Sequence, residues 1–156
     1  MKDGGVAMSR ITRYQGAIID DHNILLIKHR EHATGRGYWL IPGGGREAIE
    51  SEEACVVREM KEETQLDVRV ERLIIDEPSH TDDGVYKRYK TYLCRPIGGA
   101  AAPGYEPEEE AAAFYSISEV RWFDLRDEST WGDLLRQDPF TYPLLQRLRR
   151  VLEYTP

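Results

Sequence analysis

Glu59, Glu62 and Glu63 stand three and four positions apart in a stretch that reads as helix. At about 100° per residue they fall within one sector of roughly 100°, so three carboxylates share a helix face. Like charges at these spacings destabilise a helix by a few tenths of a kcal/mol per pair, a cost that becomes a gain when a hard cation bridges them. Magnesium suits such a set. It takes oxygen ligands, keeps several waters, and is commonly held by a few carboxylates together with substrate phosphates. The same pattern also reads as a solvated acidic face, with Arg58 pairing to Glu62 one turn on.

The elements that must position these residues are legible around them. Ser51 reads as an N-cap, Glu52 and Glu53 fill the first turn where the helix dipole favours acids, and the helix runs to about Gln65 with Ala54, Val57 and Met60 on its apolar side. Before it, the apolar Tyr38-Trp39-Leu40-Ile41 stops at Pro42 and three glycines, which is a short strand running into a sharp loop. Upstream, Gly16-Ala17-Ile18-Ile19 and Ile24-Leu25-Leu26-Ile27 flank the polar Asp20-Asp21-His22-Asn23, a hairpin pattern. Downstream, strands are expected from Asp67 to Ile75 and from Val85 to Arg95, with a turn around Asp82-Asp83-Gly84, and at Val120 to Phe123. A turn or short helix is expected around Thr130 to Arg136. A final helix capped near Asp138 would bury Leu144, Leu145, Leu148, Val151 and Leu152. These elements predict one α/β domain over residues 1–156, with a mixed central sheet and helices on both faces. Residues 1–9 are expected to be disordered and 98–110 to form a mobile loop.

Read outward from Gly44, five residues precede Glu50 and seven more precede Arg58-Glu59, followed by Met60, Lys61, Glu62-Glu63, Thr64, Gln65 and Leu66. This closely resembles the Nudix box of the Nudix hydrolases, with eight of its nine specified positions matched and Gln65 in place of a glycine. The leading Trp39-Leu40-Ile41-Pro42-Gly43-Gly44-Gly45 resembles the family's approach to the box, while Ile49 stands where many members carry glycine. The resemblance implies a Nudix-type α/β/α sandwich. It also implies hydrolysis of a nucleoside diphosphate linked to another group, by attack of water on phosphorus with Mg²⁺ or Mn²⁺. Carried over position by position, Glu59, Glu62 and Glu63 with the Gly44 carbonyl would hold metal, Glu50 would support the site, and Arg58 would orient a carboxylate. Many relatives place a further catalytic glutamate where Ser116 stands here; Glu119 and the acidic residues Glu106 and Glu108-Glu109-Glu110 are the nearby substitutes.

The rest of the sequence narrows the partners. With 21 Lys and Arg against 28 Asp and Glu, the formal charge of -7 supplies no general field for a nucleic-acid polymer or an anionic membrane. A nucleotide-like small molecule is the expected substrate, whether a nucleoside triphosphate, a dinucleoside polyphosphate or an ADP-ribose-like sugar. Cys55 and Cys94 match neither a zinc spacing nor a small disulfide framework, which together with the absence of an apolar leader or span points to the cytoplasm. The competing class is a non-catalytic Nudix-like domain that binds or senses a nucleotide. Oligomeric state stays open, a homodimer included. Tyr86, Tyr89, Tyr92, Trp122 and Trp131 read first as packing, and His22, His29, His32 and His80 show no metal-ligand spacing. Lys28, Arg30 and Arg36 read first as exposed cations.

Overall fold

The computed structural model describes residues 11–81, 84–105, 112 and 114–155. The expectations for residues 1–9, for Asp82-Asp83 and for Glu106 and Glu108-Glu109-Glu110 fall outside the described residues.

Strands β1 (Thr12–Asp20) and β2 (Asn23–Glu31) form the expected hairpin, turning through Asp21 and His22 at positive φ. Their pairing is confined to Ile19↔Ile24 and Asp20↔Asn23. Beyond that point β1 leaves β2 and runs parallel to β6 (Arg88–Gly98), from Thr12↔Arg88 to Ile18↔Cys94. Strand β5 (Asp67–Pro78) is antiparallel to β6, and β2 pairs antiparallel with both β3 (Gly37–Leu40) and β7 (Tyr115–Asp124). Strand β4 (Gly43–Gly44) is a two-residue graft onto β1, with Tyr14 opposite Gly44 and Gln15 opposite Gly43. Among the described residues, one parallel pairing alongside antiparallel ones makes the sheet mixed, as the sequence predicts.

Helix α1 (Glu52–Thr64) covers one face and α3 (Thr141–Val151) the other, with the short α2 (Asp133–Arg136) between β7 and α3. Side chains alternate along the buried strands accordingly. Tyr14, Ile18 and Leu25 pack with Cys55, Val56 and Met60 of α1. Ala17, Ile24 and Leu26 pack with Leu144, Leu145 and Leu148 of α3, together with Trp131 and Leu135. Asp138 Oδ1 accepts the N–H groups of Phe140 (2.9 Å) and Thr141 (2.7 Å), a cap contributing about 1 kcal/mol, while three fully buried leucines contribute about 1.5–3 kcal/mol each. Packing therefore decides where α3 lies. Val151, expected on that buried stripe, is instead exposed, because the helix ends there.

Helix α1 departs from the simple amphipathic reading. Ala54 and Val57 face solvent, and the buried side carries Cys55, Val56, Glu59, Met60, Glu63 and Thr64. The Ser51 hydroxyl caps the start, accepting from Ala54 N–H at 3.0 Å. At the other end Gln65 takes the left-handed conformation, φ 64° and ψ 12°, and returns its N–H to the Lys61 carbonyl at 3.0 Å. A glutamine thus does the work of the missing glycine at a steric cost, and its side-chain amide donates to Pro103 O at 2.7 Å. Three more N–H groups from the following segment meet the last helical carbonyls: Ala102 to Thr64 (3.0 Å), Gly104 to Glu63 (2.9 Å) and Tyr105 to Glu62 (3.0 Å). Residues 102–105 thereby satisfy the orphan acceptors of α1.

Gln65→Ala keeps the left-handed strain and loses the bond to Pro103, whereas Gln65→Gly loses the bond and relieves the strain. The glycine variant should be the more stable of the two by about 1 kcal/mol in denaturant unfolding, and equal stabilities would show that the backbone at 65 is unstrained.

Candidate active site

The glycine strand and the acidic helix meet face to face. A Cβ built on Gly44 would lie 2.6 Å from Glu59 Cδ, so a side chain at 44 would push that carboxylate aside. Glu63 accepts the Gly43 N–H at 2.9 Å. Glu59 and Glu63 are 3% and 1% exposed, which for ionisable groups demands partners, and both have them.

For Glu59 that partner is Arg58. Its Nε and Nη2 donate to the two Glu50 oxygens at 2.6 and 2.8 Å, a bidentate pair, while Nη1 donates to Glu59 Oε2 at 3.2 Å and Glu62 Oε1 at 3.1 Å. Nη2 also reaches Gly45 O at 3.2 Å. The expected pair one turn along the helix is therefore real, but it is one spoke of a hub that ties α1 to the loop before it. Glu50 is further set by accepting the Glu47 N–H at 3.1 Å, and Arg46 Nη1 donates to its carbonyl at 2.9 Å. The Arg58 hydrogen bonds hold the Glu50 carboxyl below the usual carboxylate range, so its contribution to stability is present above that range and lost in acid. Glu62 goes the other way, raised because burial outweighs the attraction of Arg58.

A third cation was missed by the sequence reading. Arg13, on β1, donates to Ile41 O at 2.7 Å and Gln15 Oε1 at 3.2 Å. Burial works against its charge, yet Tyr86, Glu63 and Glu59 more than offset that, and its pKa is raised. No local spacing announces Arg13, because its place beside Ile41 and the glycine strand follows from the β1–β4 pairing, with Glu59 and Glu63 more than forty positions away in sequence.

The fit of this set to a divalent cation can be judged from its donors. Three carboxylates and a glycine-strand carbonyl are an all-oxygen, net-negative set, and the Glu59 and Glu62 carboxylates already converge on one cationic nitrogen. The chemistry fits a hard ion. Among the described residues, no group of three or more His, Cys, Asp or Glu is gathered closely enough to hold a metal as it stands, since Arg58 and the Gly43 N–H hold the carboxylate ends.

Residues 11–148 match the NUDIX domain. The chain belongs to the Nudix family. It is 32% identical over 123 residues to an ADP-ribose pyrophosphatase of Methanocaldococcus jannaschii, covering 78% of this chain and 70% of that protein. It is 32% identical over 124 residues to an NAD-capped RNA hydrolase of Vibrio atlanticus, covering 78% of this chain and 41% of that protein. The chain spans 30% and 41% of the length of two of the curated relatives it matches. Among solved structures, an ADP-ribose pyrophosphatase from Streptococcus suis superposes with a TM-score of 0.62 at 26% identity, covering 91% of this chain and 89% of that one.

The two departures from the Nudix box are accommodated locally. Gln65 adopts the turn conformation itself, and Ile49 is fully exposed without a positive φ, so nothing there requires glycine. Ser116 and Glu119 lie on β7 rather than in a loop before it, opposite Arg30 and Lys28. Glu119 is occupied by Arg121 at 2.7 Å. The tyrosines largely pack: Tyr89 lies against Phe140, Tyr86 against Tyr89, and the Tyr92 hydroxyl donates to Glu52. Lys28 and Arg121 lie over the Trp39 ring, and Arg36 pairs with Glu31. His29, given no role from sequence, is 8% exposed and stacks on Tyr115 at 5.3 Å.

Burial, with the charge of Arg13 behind it, pushes His29 down from 6.5 to about 4. Between those values the unfolded chain binds a proton that the folded one does not, so stability falls as pH drops through this window. The loss from this residue at about pH 5, relative to about pH 7.5, is about 2 kcal/mol. His29→Phe should flatten the unfolding free energy over that interval by this amount. The same pH dependence in both proteins would show that His29 is not held neutral.

Proposed function

We propose that this Nudix domain is a divalent-cation-dependent pyrophosphohydrolase, cleaving the pyrophosphate of a nucleoside diphosphate linked to another group. The observation that carries the reading is the hub: Arg58 holds Glu50, Glu59 and Glu62 at once, with Glu63 on the same helix bonded to the Gly43 N–H of the glycine strand. A domain that merely bound a nucleotide has no need to bury two carboxylates and organise a third around a guanidinium. The pyrophosphatase and hydrolase relatives support the same reaction class, and the names ADP-ribose pyrophosphatase and NAD-capped RNA hydrolase support an ADP-ribose-like substrate over a nucleoside triphosphate. The two free, buried thiols suit a reducing compartment, the cytoplasm.

Glu59, Glu62 and Glu63, with the Gly44 carbonyl, would hold Mg²⁺ or Mn²⁺. When bound, such an ion supplies positive charge for the phosphate oxygens and activates the attacking water. The protein's part is to keep the carboxylates aimed. Arg58 holds Glu59 and Glu62 close to Glu50, and the carboxylates would have to draw away from Arg58 and the Gly43 N–H to take up the ion. Arg13 adds a buried positive charge on the β1 side that favours the ionised forms of Glu59 and Glu63.

Incubation with ADP-ribose and Mg²⁺, followed by chromatography of products, should show AMP and ribose 5-phosphate. Glu63→Gln and Glu62→Gln should each lower turnover by about 100-fold or more, with the fold checked by circular dichroism. Near wild-type turnover in both would place the catalytic centre elsewhere. Absence of hydrolysis across a panel of nucleoside diphosphate derivatives would favour a binding domain.

Arg58→Ala should depress turnover by roughly 10- to 100-fold while changing KM little, because it frees carboxylates rather than a substrate contact. A rise in KM at constant turnover would mean that Arg58 touches substrate.

A further inference from the structure

Glu62 and Glu63 lie on the last turn of α1, which ends at Thr64. A helix frays first at its last turn, because the final carbonyls have no partner within the helix. Two carboxylates of the acidic face therefore stand on the part of α1 most prone to open. Glu59, a turn earlier, lies within the helix and against the glycine strand.

The segment that leaves β6 closes this end of the helix. Gly99 turns the chain at φ 83°, and Ala101 packs against the core cluster that holds Tyr14, Ile18, Cys55 and Met60. The chain then runs back along α1 as a strap. Its N–H groups donate in succession to the helix carbonyls, Ala102 to Thr64 at 3.0 Å, Gly104 to Glu63 at 2.9 Å and Tyr105 to Glu62 at 3.0 Å. The Gln65 side chain closes the near end on Pro103 O at 2.7 Å. The approach is close enough to need a glycine: a Cβ built on Gly104 would lie 2.7 Å from the Glu62 carbonyl carbon and 2.9 Å from that of Glu63.

These bonds differ in kind from those of the carboxylates. Arg58 holds the Glu62 side chain and the Gly43 N–H holds that of Glu63, and both contacts compete with a cation for the same oxygens. The strap uses main-chain oxygens instead, so its bonds persist while the side chains change partners. It gives the two carboxylates a fixed backbone from which to turn.

We infer that residues 102–105 are a positioning element for the cation site, setting its affinity for a divalent ion by fixing the main chain of Glu62 and Glu63. The inference rests on the cation-dependent function proposed above.

The test is the Mn²⁺ affinity of the full chain, read from the electron paramagnetic resonance signal of the free ion, together with amide hydrogen exchange. Gly104→Ala forces the strap off the helix, and Tyr105→Pro removes the N–H that reaches Glu62 O. Each variant should weaken Mn²⁺ binding by about tenfold or more, and exchange at the amides of Glu62, Glu63 and Thr64 should quicken. Leu148→Ala, which opens a cavity beneath α3 on the opposite face of the sheet, should lower stability to denaturant yet keep Mn²⁺ affinity within about twofold of wild type. An equal loss of affinity in Leu148→Ala would reduce the effect to general stability and overturn the inference. Wild-type affinity in both strap variants, with Mn²⁺ still lost on Glu62→Gln, would overturn the strap's role and leave the cation site standing. No Mn²⁺ binding by wild type, or binding that neither Glu62→Gln nor Glu63→Gln weakens, would remove the cation site and the strap's role with it.

Discussion

Two carboxylates buried on the inner side of a helix are an electrostatic problem that the surrounding structure is arranged to solve. Left unpaired, each would cost several kcal/mol or give up its charge. The solution is distributed: Gly43 offers an N–H to Glu63, Gly44 removes a side chain from the path of Glu59, and Arg58 bridges Glu59 to Glu62 and Glu50. The strand β4 is only two residues long and exists as a strand through its pairing with β1. The helix, the glycine strand and β1 are thus registered to one another through charges rather than through apolar packing alone.

Much of this was readable because it is local. Ser51, the first-turn acids and the carboxylate spacing all act within a few turns of one helix, and the box motif spans only residues 44–66. The helix came out at its expected length. What failed there is instructive. Ala54 and Val57 were assigned to the core by their apolar character, yet the buried side is the one bearing Glu59 and Glu63. The buried side of this helix carries Cys55, Val56 and Met60 together with Glu59 and Glu63, so apolar character alone does not mark it.

The features that sequence did not reveal are non-local. Arg13 joins the site through sheet pairing, and His29, Tyr38 and Tyr115 come together because β2 takes β3 and β7 as neighbours. None of those residues has a telling spacing. Ser116 was expected in a loop because β7 was read as starting at Val120. The strand begins at Tyr115, and pairing with β2 rather than local propensity extends it.

The central claim is that the carboxylates gathered around Arg58 form a divalent-cation site. Crystals equilibrated with saturating Mn²⁺ and measured at the manganese absorption edge test it most directly. The account predicts an anomalous peak bounded by Glu59, Glu62 and Glu63 beside Gly44, with Arg58 still paired to Glu50. A peak elsewhere, or none at that position with the metal at saturation, would contradict it.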